Sequence, residues 1–326
     1  VPIQPRGAKT PFFCVHPAPG TVFCYIALAR AMGEDRPFWG IQAPSMYGAN
    51  IHFSTIEESA AYYAEALKRV QPQGPYLLGG HSSGGQVSLE IARILRAEGH
   101  EVRLVALIDS FAPLPSRRAA QVYAACQCSA DDAFWLACML MLVEYFFNTK
   151  FDIEYKDLRR LSIDDQYKTV LDELVRVNFL PPHAGPGAMH GLVDNLRTVI
   201  AAAILYGPGP YDGKIAFLRA PGLFAASPRG AQPHALVMFL RALRRDWRTI
   251  VGGIPYVLLD MLSATRRSGI TRRLFGDPTL GWRRMSTQPV EVRELTGNHV
   301  TMLSEPHVQT LAEQLRAALD AADVAR

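Results

Sequence analysis

Ser82 stands in the run Gly80-His81-Ser82-Ser83-Gly84, which matches the pattern G-x-S-x-G. So short a pattern also arises by chance, and a Gly/Ser-rich loop would use the same residues. Its surroundings favour chemistry. Pro75-Tyr76-Leu77-Leu78 is a short apolar run suited to a buried strand, and Gln86 to Glu98 is patterned as a helix that Gly99 would end. Strand, tight turn and helix are the setting in which this motif presents a nucleophilic serine. A turn that sharp needs small neighbours, and Gly80, Gly84 and Gly85 supply them.

A serine hydroxyl is a weak nucleophile at neutral pH. It needs a base beside it, and a carboxylate to set that base's tautomer. In α/β-hydrolases the chain order is Ser, then Asp or Glu, then His. Ser82, Asp109 and His299 meet that order. Each lies just past the C-terminal end of a predicted strand, where open α/β sheets hold their sites. Among nine histidines, His299 follows the last predicted strand in a glycine-flanked turn. His307 falls at the start of the C-terminal helix. His81 adjoins Ser82 too closely to reach over it and is expected to pack or hydrogen-bond beneath the turn. His16, His183 and His190 could line the site. For the acid, the predicted strand 214–218 leads into Arg219-Ala220-Pro221-Gly222-Leu223, which has no carboxylate. Asp246 and Asp260 fall within helical patterns, and Asp277 is the alternative to Asp109. A structural role for Asp109, as a helix cap or an arginine's partner, is the alternative to the catalytic role, which is preferred.

The oxyanion formed on attack needs two backbone N–H donors, one after the nucleophile and one from the loop after an early strand. Ser83 supplies the first. The early loop is His16-Pro17-Ala18-Pro19-Gly20. Proline has no N–H, so Ala18 is the predicted second donor.

The elements that must position these groups are legible as alternating apolar runs and helical patterns over residues 11–112. Strands are predicted at 12–15, 38–41, 75–78 and 102–108. A helix-like stretch runs over 21–32, and a second helix opens on the capping box Thr55-Ile56-Glu57-Glu58 and continues to Val70. That alternation predicts an α/β fold with a parallel sheet covered on both faces. Residues 115–210 hold no convincing strand but three helical patterns, 131–147, 162–179 and 188–206. The sheet resumes at 214–218 and again at 290–295, and a last helix is predicted over 306–318. The expected organisation is therefore one α/β unit over 1–326, with a helical lid at 115–210 and a second helical insertion at 221–276.

Charge and composition narrow the partners. The net charge is +4, but residues 229–284 carry eleven arginines against three aspartates and no lysine or glutamate. Arg241, Arg244, Arg245 and Arg248 lie mostly off the apolar face of one predicted helix, as an acid-binding patch or simply a solvated face. No nucleic-acid-binding motif accompanies them. No apolar run approaches the roughly 20 residues that cross a bilayer, and no secretory signal opens the chain, which starts at Val1 and reads as a trimmed piece. Five cysteines without a C-x-x-C pair suggest reduced thiols in the cytoplasm, and Cys126-x-Cys128 is a poor zinc candidate; no metal is expected.

The stretches PFFCVHPAPG (11–20), FSTIEESAAYYAEALKRVQPQGPYLLGGHSSGG (53–85), EIARILRAEGHEVRLVALIDS (90–110), YDGKIAFLRA (211–220), and DPTLGW with VEVRELTGNHVTML (277–303) resemble the chain-terminating thioesterase domains of nonribosomal peptide synthetases and modular polyketide synthases. They cover somewhat over half the chain. The resemblance implies an α/β-hydrolase fold with a helical lid. It implies a substrate delivered on the phosphopantetheine arm of an acyl or peptidyl carrier protein within the same synthase, with no bound cofactor. It places the nucleophile at Ser82, the acid at Asp109 and the base at His299. Two departures bear on substrate: residues 221–276 are longer than the usual connection, and the lid segment has no close counterpart. Phe134, Trp135, Met139, Leu142 and Phe146 form an apolar helix suited either to a pocket wall or to simple burial. Competing functions are a discrete editing thioesterase, a small-ester hydrolase on the same fold, and a non-catalytic module that only positions carriers.

Overall fold

The computed structural model describes residues 1–47, 51, 53–113, 131–147, 149–153, 155–221 and 278–324. Among these, the apolar runs pair into one seven-stranded sheet. Strands β1 (Pro2–Gln4), β2 (Phe12–Val15), β3 (Phe38–Ile41), β4 (Tyr76–His81), β5 (Val102–Ile108), β6 (Ile215–Arg219) and β7 (Val290–Glu294) lie in the order β1-β3-β2-β4-β5-β6-β7. β1 runs antiparallel to β3, and the other pairs are parallel. β2 and β4 are buried along their whole length, as a parallel sheet covered on both faces requires.

Alternation along the strands sends side chains to two layers. Phe12, Leu77, Leu104, Ile108 and Leu218 pack with Leu28 and Met32 of α1 (Ile26–Met32) and with Leu311, Leu315 and Leu319 of α8 (Val308–Val324). Phe13, Leu78, Val105, Leu107 and Phe217 pack with Ala60 and Tyr63 of α2 (Ile56–Val70) and with Leu89 and Ile91 of α3 (Ser83–Ala97). The helix signals read from the sequence are realised locally. Thr55 Oγ1 accepts from the Glu58 N–H at 3.1 Å, while the Glu58 carboxylate reaches one residue further back, to the Ser54 N–H at 2.7 Å. Gly99 sits at φ +86°, and His100 N–H closes the helix end onto the Leu95 carbonyl at 2.9 Å.

Between β5 and β6 lie α4 (Asp132–Phe147), α5 (Tyr155–Leu158), α6 (Ile163–Arg176) and α7 (Pro186–Leu205). They bury a core of their own around Leu136, Met139, Leu158, Val170, Leu174 and Val193. Ser162 caps α6 by accepting from the Asp165 N–H at 3.2 Å. Both ends of this helical segment are tied to one face of α3. Gln86 Nε2 donates to the Phe111 carbonyl at 3.1 Å where the chain departs. Where it returns, Tyr206 O–H donates to Glu90 at 2.8 Å, and Arg93 donates to the carbonyls of Gly209 and Pro210 at 2.9 and 3.1 Å.

Several expectations are adjusted, among them the last helix, which runs over Val308–Val324 and not 306–318. β1 is an addition to the predicted strands. β4 runs on through two glycines to His81, α3 begins at Ser83 rather than Gln86, and the short α5 joins the three expected insert helices. The second insertion, with Arg241, Arg244, Arg245 and Arg248, lies outside the described residues except for Pro221, as do Asp246, Asp260, Asp277, Cys126 and Cys128. No described helix is long and apolar enough to cross a membrane.

Candidate active site

Ser82 sits between the end of β4 and the start of α3 at φ 57°, ψ −128°. A side chain with a Cβ is strained there, by about 1–3 kcal/mol, and its neighbours impose the strain. The Ser82 N–H is held by the Ile108 carbonyl at 3.1 Å, and the first turn of α3 folds straight back over β4. A Cβ at Gly80 would lie 2.3 Å from the backbone of Gly84, and one at Gly84 would lie 2.5 Å from the carbonyl oxygens of both Val15 and His16. The glycines therefore do more than permit a turn. They let the N-terminus of α3 touch the loop that carries Ala18, so the two predicted oxyanion donors, Ser83 and Ala18, belong to segments in backbone contact. The leading N–H groups of a helix have no partner within it, which leaves that of Ser83 available.

Asp109 and His299 are brought together. His299 Nδ1 lies 2.7 Å from Asp109 Oδ2. A carboxylate can only accept, so Nδ1 carries the hydrogen and Nε2 of the neutral ring is an acceptor. Asp109 is 8% exposed, and its position is fixed from three sides. Its N–H donates to the Leu218 carbonyl at 2.7 Å, its Oδ1 accepts from the Ala220 N–H at 2.9 Å, and the chain there turns at φ 42°. The carboxylate-free sequence after β6 thus contributes a backbone donor to the acid. The next residue is anchored as well, with Trp282 Nε1 donating to the Ser110 carbonyl at 2.8 Å from full burial. Trp282 closes the DPTLGW stretch, but the sequence alone gives it no role in the site.

His299 is held in a loop after β7 by Asn298. This buried residue accepts from the N–H groups of Val300 and Thr301 at 3.0 and 2.8 Å. The Phe111 ring, 46% exposed, flanks the His299 ring at 5.4 Å between centroids. His81 lies beneath, its ring 4.5 Å from that of His299. The remaining histidines are elsewhere. His307 Nδ1 meets Thr296 Oγ1 at 3.1 Å, His190 stacks on Tyr167 at 3.9 Å inside the helical segment, and His183 is exposed in the turn before α7. His16 is buried at the loop of Ala18. Its Nδ1–H donates to the Pro17 carbonyl at 2.7 Å and its Nε2 accepts from Tyr63 O–H at 2.8 Å. Burial lowers its pKa to about 4 against the opposing pull of the Pro17 carbonyl, so it is a neutral brace for that loop.

Of the pocket candidates, Phe134 is half-buried and Trp135 and Met139 are buried in the core of the helical segment, while Leu142 and Phe146 lie further along α4. Trp135 also borders a cavity of about 520 Å³, with Asp131, Asp132, Arg159, Gln166 and Arg197. Arg197 pairs with Asp132 and lies over the Trp135 ring. No group of three or more His, Cys, Asp or Glu among the described residues is arranged to hold a metal.

Residues 10–127 match the model of the Thioesterase domain family. Atromentin synthetase invA5 of Paxillus involutus is 42% identical over 109 residues, 33% of this chain and 11% of that protein. Malpinin synthetase of Mortierella alpina is 39% identical over 110 residues, 34% of this chain and 1% of that protein. The chain thus spans only about a tenth, or less, of these relatives. Among solved structures, the four-domain nonribosomal peptide synthetase AB3403 matches with a TM-score of 0.71 at 25% identity, over 97% of this chain and 20% of that one. The NocB thioesterase domain matches at 0.54 and 21% identity over 96% and 95% of the two chains, which is a likeness of fold. Residues 10–127 are thus similar in sequence to the Thioesterase domain family, and the described residues have an α/β-hydrolase fold like that of the matched structures.

Proposed function

We propose that the domain releases an acyl or peptidyl chain from the phosphopantetheine arm of a carrier protein in the same synthase, through an ester on Ser82. The observation that carries the proposal is the 2.7 Å contact of His299 Nδ1 with Asp109, at the strand ends beside a serine held at positive φ. With Nδ1–H committed to Asp109, His299 Nε2 takes the Ser82 proton as Oγ attacks the thioester carbonyl. Charge gathers on the carbonyl oxygen, for which the N–H groups of Ser83 and Ala18 are the proposed donors. The C–S bond breaks, the sulfur takes the proton from His299, and the acyl group stays on Ser82. A second nucleophile then gives its proton to His299 and attacks the ester carbonyl; the bond from that carbon to Ser82 Oγ breaks, and Oγ takes the proton back from His299. Water yields an acid; a hydroxyl or amine of the chain itself yields a ring.

The helical segment is proposed as a lid whose apolar α4, with Phe134 and Trp135, walls the acyl chain and slows the entry of water. Arg241, Arg244, Arg245 and Arg248 are proposed to receive an acidic face of the carrier. Incubation with a pantetheine thioester, followed by mass analysis of the released product, tests the reaction. A Ser82→Ala protein that still releases thiol at the wild-type rate would refute it. A preference for simple esters over carrier-bound chains would favour a small-ester hydrolase, and labelling of Ser82 by a fluorophosphonate excludes a non-catalytic module.

A further inference from the structure

His81, the residue before the nucleophile, has a buried imidazole that nothing in the proposed reaction uses. It ends β4 on the face shared by Leu77, which packs towards α1 and α8, while Ser82 turns away into the elbow. Its side chain is 1% exposed and its Nε2 lies 2.6 Å from the backbone carbonyl oxygen of His299. A carbonyl can only accept, so Nε2 carries the hydrogen and donates it. Its Nδ1 is buried without a partner. The main chain of His81 is held in turn, since Tyr25 O–H, which donates to the Val15 carbonyl at 2.6 Å, accepts from the His81 N–H at 3.1 Å.

We infer that His81 is a positioning residue for His299, gripping its main chain from the strand that carries Ser82 while Asp109 grips its side chain. Two observations make this more than core packing. First, an imidazole in this place leaves a ring nitrogen unsatisfied in the interior, a cost that an apolar side chain would avoid. Second, the bond links residues 218 positions apart. It ties the nucleophile's strand to the base's loop, and so bears on where His299 lies relative to Ser82. Burial, reinforced by the neighbouring His299 ring and opposed by the His299 carbonyl, holds the His81 pKa well below the ordinary range. It therefore stays neutral and does not repel the imidazolium formed on His299 during turnover.

The inference rests on the proposed reaction, and its test is built to fail separately. Wild-type, His81→Phe and His81→Gln proteins are compared on a soluble pantetheine thioester, with kcat expressed per site titrated by a fluorophosphonate. Glutamine places its amide N–H₂ near the position of the imidazole Nε2, whereas phenylalanine keeps the ring and loses the donor. The expected result is a fall of about 30- to 300-fold in kcat per titrated site for His81→Phe, with KM within about threefold. His81→Gln should recover to within about fivefold of wild type. A mere folding role would lower the number of titratable sites and leave kcat per site unchanged. That outcome, or an equal loss in both variants, overturns the inference. If His81→Phe does not fold, the glutamine variant decides alone: recovery supports the donor, and a loss beyond about 30-fold per site refutes it. A wild-type protein without turnover or labelling would instead refute the proposed function.

Discussion

Ala220 donates its backbone N–H to Oδ1 of Asp109 at 2.9 Å, which leaves Oδ2 to His299. The two carboxylate oxygens are therefore not equivalent, and this decides what an asparagine would do in their place. Only the amide oxygen of the new side chain could accept from Ala220, so its N–H₂ would face His299 Nδ1. That nitrogen would have to give up its hydrogen, and Nε2 would carry it, unable to take the proton of Ser82. Asp109→Asn is expected to lower kcat about 10⁴-fold with little change in melting temperature. Steady-state rates beside a thermal melt check both halves. A mild loss here with a severe one for Asp277→Asn would transfer the acid's role to Asp277.

The positive φ of Ser82 separates activity from stability. Glycine adopts φ 57° freely, and the strain relieved, about 1–3 kcal/mol, exceeds the roughly 0.5–1 kcal/mol of chain entropy that glycine loses on folding. Ser82→Gly should abolish turnover, with a loss near 10⁶-fold, and raise the urea midpoint. Ser82→Ala should lose as much activity without that gain.

Gly84, like Gly80, is predicted to resist replacement. An alanine Cβ would meet two main-chain carbonyls at 2.5 Å, and neither can rotate away. Gly84→Ala should destabilise the domain by about 1–3 kcal/mol and, by pushing the Ala18 loop off the helix, lower kcat at temperatures where the protein is fully folded. Gly185, with nothing within 4 Å of such a Cβ and an extended φ of −100°, is the control and should tolerate alanine.

His16 and His81 give stability a pH dependence. Burial lowers the His16 pKa from about 6.5 to about 4, so between those values the unfolded chain binds a proton that the folded one refuses. Stability consequently rises with pH across that window. The contribution, about 3 kcal/mol for His16, is complete above about pH 6.5 and lost below about pH 4. His81 adds a slope of the same sign. Urea unfolding at pH 4.5, 5.5 and 7 should show the trend, and His16→Asn should flatten part of it. An unchanged slope in that variant would mean that His16 binds its proton equally in the folded and unfolded chain.

Much of this was legible in the sequence, for reasons that also explain the rest. Phe12–Val15, Phe38–Ile41 and Val102–Ile108 form strands with the predicted bounds, because an apolar run flanked by polar residues records burial on both faces. β4 outruns its prediction because Gly79, Gly80 and His81 carry no apolar signal; their pairing with Ala106, Leu107 and Ile108 is imposed by the neighbouring strand. α3 begins at Ser83 although Gly84 and Gly85 are poor helix formers, since close approach to β4 and the His16 loop outweighs their propensity. Chain order and strand ends pointed to Ser82, Asp109 and His299, and the structure sets His299 Nδ1 2.7 Å from Asp109. Ala220, Trp282 and His81 act through single hydrogen bonds over long separations, and Asn298 through two bonds within its own turn, none of which leaves a periodicity to read.

The three ties on α3 have a further consequence. Gln86, Glu90 and Arg93 occupy one stripe of the helix, and between them they pin the chain where it leaves Phe111 and where it comes back at Tyr206 and Pro210. The gap between those posts is set by the helix and not by what is strung across it. A scaffold built this way has an exchangeable cover. Helices of other lengths and linings could be grafted between the same two posts without disturbing Asp109, two residues before the first of them, so that if the proposed function holds, new specificities would be sought by swapping that span rather than by remodelling the sheet.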